Sequence, residues 1–163
     1  MDTLIYARNQ SGGFAYSPAF KERNAKIFRA YQSAGGEAVV EAILSDRFLA
    51  PRDRRVKERV RAIVLENVAI FETDPGLMRA LEPPAIERLE EISQPLLVVS
   101  TAHDDPDNDA VAELLERRVA NARRVELQAA AHLAHLDQPQ EFNQLVHDFI
   151  HGLTATAERS RSA

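Results

Sequence analysis

The stretch Pro95-Leu96-Leu97-Val98-Val99-Ser100 constrains this chain more than any other. Its apolar side chains are continuous rather than alternating, so a strand formed here is covered on both faces, as parallel strands are. A helical pattern follows from Pro106 to Val119, with Val111, Leu114, Leu115 and Val119 on one face. A second β-prone run, Arg124-Val125-Glu126-Leu127, comes next. The last helix begins near Pro139 and turns Phe142, Leu145, Val146, Phe149 and Ile150 inward. This order of strand, helix, strand and helix predicts an α/β fold with parallel strands and right-handed crossovers.

The region before it is mainly helical. Leu4-Ile5-Tyr6-Ala7 reads as a short buried strand that ends in a turn at Asn9, Ser11, Gly12 and Gly13. Ser17-Pro18 has the form of an N-cap with proline at the first helical position. Gly35-Gly36 stops that helix, and a second runs from Glu37 to Ser45. After Pro51, the residues Val56, Val60, Ile63, Val64, Val68 and Phe71 recur at helical spacing and predict one amphipathic helix of about five turns. Asp74-Pro75-Gly76 breaks it, and two short helices are expected around Pro83-Pro84. The segment from Thr154 to Ala163 is small and polar, and residues 153–163 are expected to form a disordered tail. About three parallel strands result, flanked by helices.

Composition excludes several classes of function. The net charge is −5 over 163 residues, and the basic residues are dispersed. Arg52, Arg54, Arg55, Lys57, Arg59 and Arg61 share their helix with acids and read as a solvated face, so no nucleic-acid partner is expected. Cysteine is absent, which excludes a disulfide framework and a thiol nucleophile. No apolar run approaches the length of a membrane span. Met1-Asp2-Thr3-Leu4 lacks a basic signal-peptide segment, so a cytoplasmic location is the default expectation.

In parallel α/β sheets, ligands bind beyond the carboxyl ends of the strands. Two loops leave those ends here: Thr101-Ala102-His103-Asp104-Asp105 and Gln128-Ala129-Ala130-Ala131-His132. They bring a carboxylate and an imidazole to one sheet edge. Such a pair serves a hydrolase, in which the histidine takes a proton from a nucleophile and the acid fixes its tautomer. Asp104 and His132 are the candidate catalytic residues. Asp105 is the fallback acid, because either aspartate can cap the helix that begins at Pro106.

These residues carry a specific resemblance. Residues 92–152 resemble the end of an α/β-hydrolase of the lactonase and carboxylesterase type. In that family one strand ends in Gly-x-x-Asp, which supplies the triad acid. Here Thr101-Ala102-His103-Asp104 stands in its place. A later strand leads to a small-residue turn, the catalytic histidine and a Glu-x-Pro element. Here the corresponding run is Ala130-Ala131-His132, then Asp137-Gln138-Pro139. Residues 1–13 resemble the sixth strand of that fold, and residues 14–91 its helical cap. The resemblance implies a partial α/β-hydrolase fold, a small-molecule ester or lactone substrate, and no cofactor. It also implies that cap helices line the substrate pocket, to which Phe20, Phe28, Tyr31 and Phe71 could contribute apolar walls, although core packing is the expectation for most of them.

Thr101 and Ala131 stand where the family prefers glycine, whose backbone freedom alanine lacks. The family's nucleophile sits in Gly-x-Ser-x-Gly. The glycines here, at 12, 13, 35, 36, 76 and 152, frame no serine in that way. Ser11 comes nearest, but a nucleophile elbow needs a helix at once, and the expected cap is at Ser17. The expectation is therefore two parts of a triad whose serine comes from elsewhere. The edge strand near Leu4-Ala7 would pair with a separate N-terminal half or with a second copy, or the chain is a truncated product. The alternative is a non-catalytic binding or interaction module, or an inactive hydrolase fragment. A third reading is His–Asp chemistry without a serine.

Two further patterns imitate metal sites. Asp105-x-Asp107-x-Asp109 with Glu116 copies a calcium loop but has Ala110 where that loop needs glycine. His132-x-x-His135 with Asp137 has ligand types at a spacing common by chance. No metal is expected at either.

Overall fold

The computed structural model describes residues 13–73 and 82–161. The predicted strand at Leu4-Ala7, the turn residue Ser11, and the first of the two short helices near Pro83 lie outside these residues. Helix α1 spans Pro18–Leu44 and is capped as its sequence predicts: Ser17 accepts the Phe20 amide at 3.1 Å. The helix is broken internally, with Ala34 at φ −150° and Gly35 at φ 72°, ψ −157°. Only glycine visits that second conformation readily, so the predicted stop becomes a kink between two helical halves. Helix α2 covers Val56–Glu66, and a separate 3-10 turn covers Val68–Glu72. This corrects the expectation of one continuous five-turn helix. The Asn67 side-chain amide donates to the Ile63 carbonyl at 2.8 Å, and its backbone sits at φ −110°, ψ 13°. An asparagine that bonds the preceding turn ends the α-helix there.

A second 3-10 turn, Ala85–Glu91, leads to strand β1, Leu96–Thr101. Helix α3, Pro106–Arg118, crosses to strand β2, Ala122–Leu127. The strands are parallel, in register from Leu96 opposite Ala122 to Thr101 opposite Leu127. Both therefore end at the same edge. A single turn, α4, spans Ala134–Asp137, and helix α5 spans Pro139–Arg161. The helix continues through residues expected to form a tail. Ala155, Ala157, Glu158, Arg159 and Arg161 are favourable helix formers, which offsets their lack of apolar pattern. Ile150 is also 53% exposed rather than inward-facing.

Two apolar clusters hold these elements. Ile27, Val39, Leu49 and Phe71 form one, between α1, α2 and the first 3-10 turn, with Phe28 and Tyr31 packed on it. Leu127, Ala130 and Ala134 form the other, with Val99, Phe142 and Leu145 against them. Leu127 is 1% exposed, and burying a leucine contributes about 1.5–3 kcal/mol. This second cluster seats the loop after β2 on α5, so the loop that carries His132 has a rigid floor.

Candidate functional site

The loop after β1 is fixed by the start of α3. Asp105 is the N-cap of that helix and accepts the Asp107 amide at 2.7 Å. Its second oxygen is ion-paired with Arg23 from α1. Asp107 accepts the Ser17 amide at 2.7 Å and the Ser17 hydroxyl at 2.6 Å. Two of the three carboxylates are thus engaged in capping and in tethering α1, and Asp104 is left facing the second loop. The sequence allowed either neighbouring aspartate to be the capping one, and the geometry separates them.

Asp104 meets His132. The imidazole Nδ1 lies 3.0 Å from Oδ2 and 3.2 Å from Oδ1 of the carboxylate. Oδ1 also accepts the Asp105 amide at 2.7 Å and the Asn108 side-chain amide at 2.9 Å. Burial raises the Asp104 carboxyl, but His132, Asn108 and the Asp105 N–H together outweigh it and hold the group below its ordinary value. An ionised carboxylate only accepts hydrogen bonds, so Nδ1 carries the proton and donates it. The 3.3 Å approach of the Asn108 amide nitrogen to Nδ1 is then a contact between two donors sharing one acceptor.

The histidine loop is held from behind by Asp137. Its Oδ2 accepts the Ala131 amide at 2.9 Å, and its Oδ1 accepts the amides of Arg52 at 2.8 Å and Asp53 at 3.3 Å. The His132 amide donates to the Phe48 carbonyl at 3.3 Å. The segment between α1 and α2 is therefore bonded directly to the histidine turn. Ala130 and Ala131 are 0% and 1% exposed, and this turn closes with alanine where the resembling family has glycine. Asn108 and Asp137 escaped the sequence reading as site residues. Asn108 follows Asp104 by four positions across a helix start, and Asp137 was visible as the acid of an acid-x-Pro motif and in the dismissed metal pattern with His132 and His135, not as a support of the histidine turn.

His132 lines a partly open cavity of about 470 Å³ bordered by α1, α2, the first 3-10 turn and α4. Its walls include Ile27, Ile43, Val60, Phe71, Leu133 and Leu136. Of the four aromatic residues considered as walls, only Phe71 lines it. Phe20 stacks on Tyr16 with centroids 4.2 Å apart, and Phe28 and Tyr31 pack on Phe71 from the core side. His135 lines the cavity and lies 6.0 Å from the Phe142 ring. The carboxylates of the calcium-like pattern serve other partners: Asp109 pairs with Arg124, while Asp105 and Asp107 bind as described. Among the described residues no group of three or more His, Cys, Asp or Glu side chains is placed to hold a metal ion. No described helix is long and apolar enough to cross a membrane.

No protein-family model matches the chain. No curated protein matches it in sequence. Solved structures do match in fold. The MenH structure from S. aureus superposes with a TM-score of 0.65 at 18% identity, covering 92% of this chain and 64% of that one. A proline iminopeptidase from Mycobacterium smegmatis gives 0.54 at 19% identity, covering 96% of this chain and 53% of that one. An enol-lactonase from Burkholderia xenovorans LB400 gives 0.52 at 22% identity, covering 77% of this chain and 49% of that one. All three are α/β-hydrolases. This chain spans about half to two thirds of their length. With its parallel strands, its flanking helices and these neighbours, the chain has the fold of an α/β-hydrolase in part.

Proposed function

We propose that the chain contributes the acid–base half of a carboxylic ester or lactone hydrolase. A serine hydroxyl would attack the substrate carbonyl while His132 Nε2 takes its proton, and Asp104 would hold the Nδ1–H tautomer and stabilise the imidazolium. The same proton then passes to the leaving alkoxide, and a water molecule deprotonated by His132 would attack the acyl-serine, releasing the carboxylic acid and returning the proton to the serine. The observation that carries this reading is the 3.0 Å contact between His132 and Asp104 at the shared carboxyl edge of two parallel strands, beside an apolar cavity. The sequence has no Gly-x-Ser-x-Gly, so the serine would come from a nucleophile-bearing N-terminal half outside these 163 residues. That half would join along Leu4-Ala7, a segment whose sequence predicts a strand.

The chain is assayed with chromogenic short-chain esters, alone across a wide concentration range and with a candidate N-terminal half. Hydrolysis should appear in the complemented sample and fall by about 10³-fold or more in His132→Ala. A serine-directed inhibitor should abolish it. Hydrolysis that survives His132→Ala would overturn the mechanism. Inactivity of every combination would favour the second reading, a module that binds small molecules through the same cavity without chemistry.

A further inference from the structure

The cavity beside His132 has a chemistry of its own. Ten of its fourteen lining side chains are aliphatic or aromatic, and the other four are Asn24, Asn67, His132 and His135. No Asp, Glu, Lys or Arg is among these lining residues. A charged ligand group inside would lose its hydration without gaining a counter-ion, which costs far more than hydrophobic contact returns. Asn24 is the buried polar exception, at 2% exposure. One of its amide N–H groups donates to the Phe20 carbonyl at 2.9 Å. The wall therefore offers two neutral amide side chains, Asn24 and Asn67, in an otherwise largely apolar lining, and Asn24 is the buried one.

The volume sets the size. A closed apolar cavity of about 150 Å³ holds one benzene, so 470 Å³ gives room for on the order of eighteen non-hydrogen atoms. This lies within the range of about 300–1,000 Å³ usual for small-molecule sites. The cavity is walled by α1 and α2 on one side and by the histidine turn on the other. Its occupant is thus delivered to His132.

We infer that this cavity binds a neutral, medium-length apolar acyl group, with Asn24 taking one uncharged polar group of the ligand and His132 at the reactive end. The described lining residues offer no counter-ion to an anionic or cationic ligand. The inference deepens the hydrolase reading, resting on it only for the identity of the reactive end.

The test uses the full chain and ligands that cannot be hydrolysed, so it needs no nucleophile. The probes are 2-hexanone, 2-octanone and 2-decanone, set against suberate and 1,8-diaminooctane, which carry charge at both ends. Binding is followed at pH 8 through the methyl resonances of Ile27, Ile43 and Ile70 and the ring resonances of His132. The ketones should bind saturably and shift both sets, with affinity rising about 3- to 4-fold for each added methylene. Suberate and the diamine should bind at least about 100-fold more weakly than 2-octanone. Ile63→Trp, at a partly exposed position of the lining, should weaken 2-octanone while leaving the circular dichroism spectrum unchanged. Absence of saturable shifts, equal binding of the charged probes, or ketone shifts unaltered in a folded Ile63→Trp variant would each overturn the inference. If the ketones bind as expected while every ester assay fails, the acyl cavity stands and the hydrolytic reading falls.

Discussion

At the scale of single residues, the site is decided by which aspartate does what. Asp105 is 4% exposed and committed to the helix cap and Arg23, whereas Asp104 stands over His132 with its carboxyl held below its ordinary value. A carboxyl depressed in the folded state stabilises the fold fully above its unfolded value, 3.8 here, and loses that contribution as pH falls through the folded value. The stability gap between the native chain and Asp104→Asn should therefore be fully present just above 3.8. It should shrink as the pH is lowered through and below 3.8. Urea unfolding of both proteins across that range checks this, and a gap that widens on acidification would contradict it. Asp104 and His132 were legible because strand ends and loop order fix where such residues fall. Asn108 was not, because its role depends on the helix starting at Pro106 rather than a residue earlier or later. Asp137 was not, because its partners, Arg52 and Asp53, lie more than eighty residues away and follow no periodic pattern.

At the scale of elements, the legible parts are those with one dominant local cause. The continuous apolar run before Ser100 gives β1 within a residue, and Ser17-Pro18 gives the start of α1. The break at Gly35 was visible too, but not that the chain continues as helix on both sides of a kink. The apolar spacing from Val56 to Phe71 overrode the local effect of Asn67, and one expected helix is an α-helix followed by a 3-10 turn. Gly35 provides a clean test of the kink. Nothing lies within 4 Å of where its Cβ would be, so Gly35→Ala isolates backbone strain. The substitution should destabilise by about 1–3 kcal/mol. Gly152, at an exposed position of α5 and equally uncrowded, should gain up to about 1 kcal/mol as alanine. Equal effects at the two positions, read by thermal unfolding, would mean that the kink is not enforced by Gly35.

At the scale of the whole molecule, the helical region and the strand region are joined where the chemistry would occur. Arg23 pairs with Asp105 while its guanidinium lies 5.1 Å from the Phe20 ring and 5.0 Å from the Phe48 ring. Phe48 in turn accepts the His132 amide through its carbonyl. Removing one partner of a buried ion pair strands the other, so Arg23→Met should destabilise by about 3–5 kcal/mol. Arg23→Met with Asp105→Asn should recover much of that loss, because asparagine still caps α3. Denaturant melts of the single and double variants measure it, and a double variant no more stable than the single would contradict the pairing. The overall fold was legible in its final strand-helix-strand-helix order. The cavity was not, since its walls come from residues spread between Asn24 and Leu136 that only tertiary packing assembles.

The central claim is that Asp104 fixes His132 as a base with its proton on Nδ1, and this can be measured without any substrate. Nitrogen-15 NMR of the His132 ring at neutral pH reports the tautomer directly. The account predicts an Nδ1–H tautomer with its proton hydrogen-bonded to Asp104, and loss of that hydrogen-bonded signal in Asp104→Ala. A ring protonated on Nε2, or an Nδ1–H signal indifferent to Asp104→Ala, would contradict it.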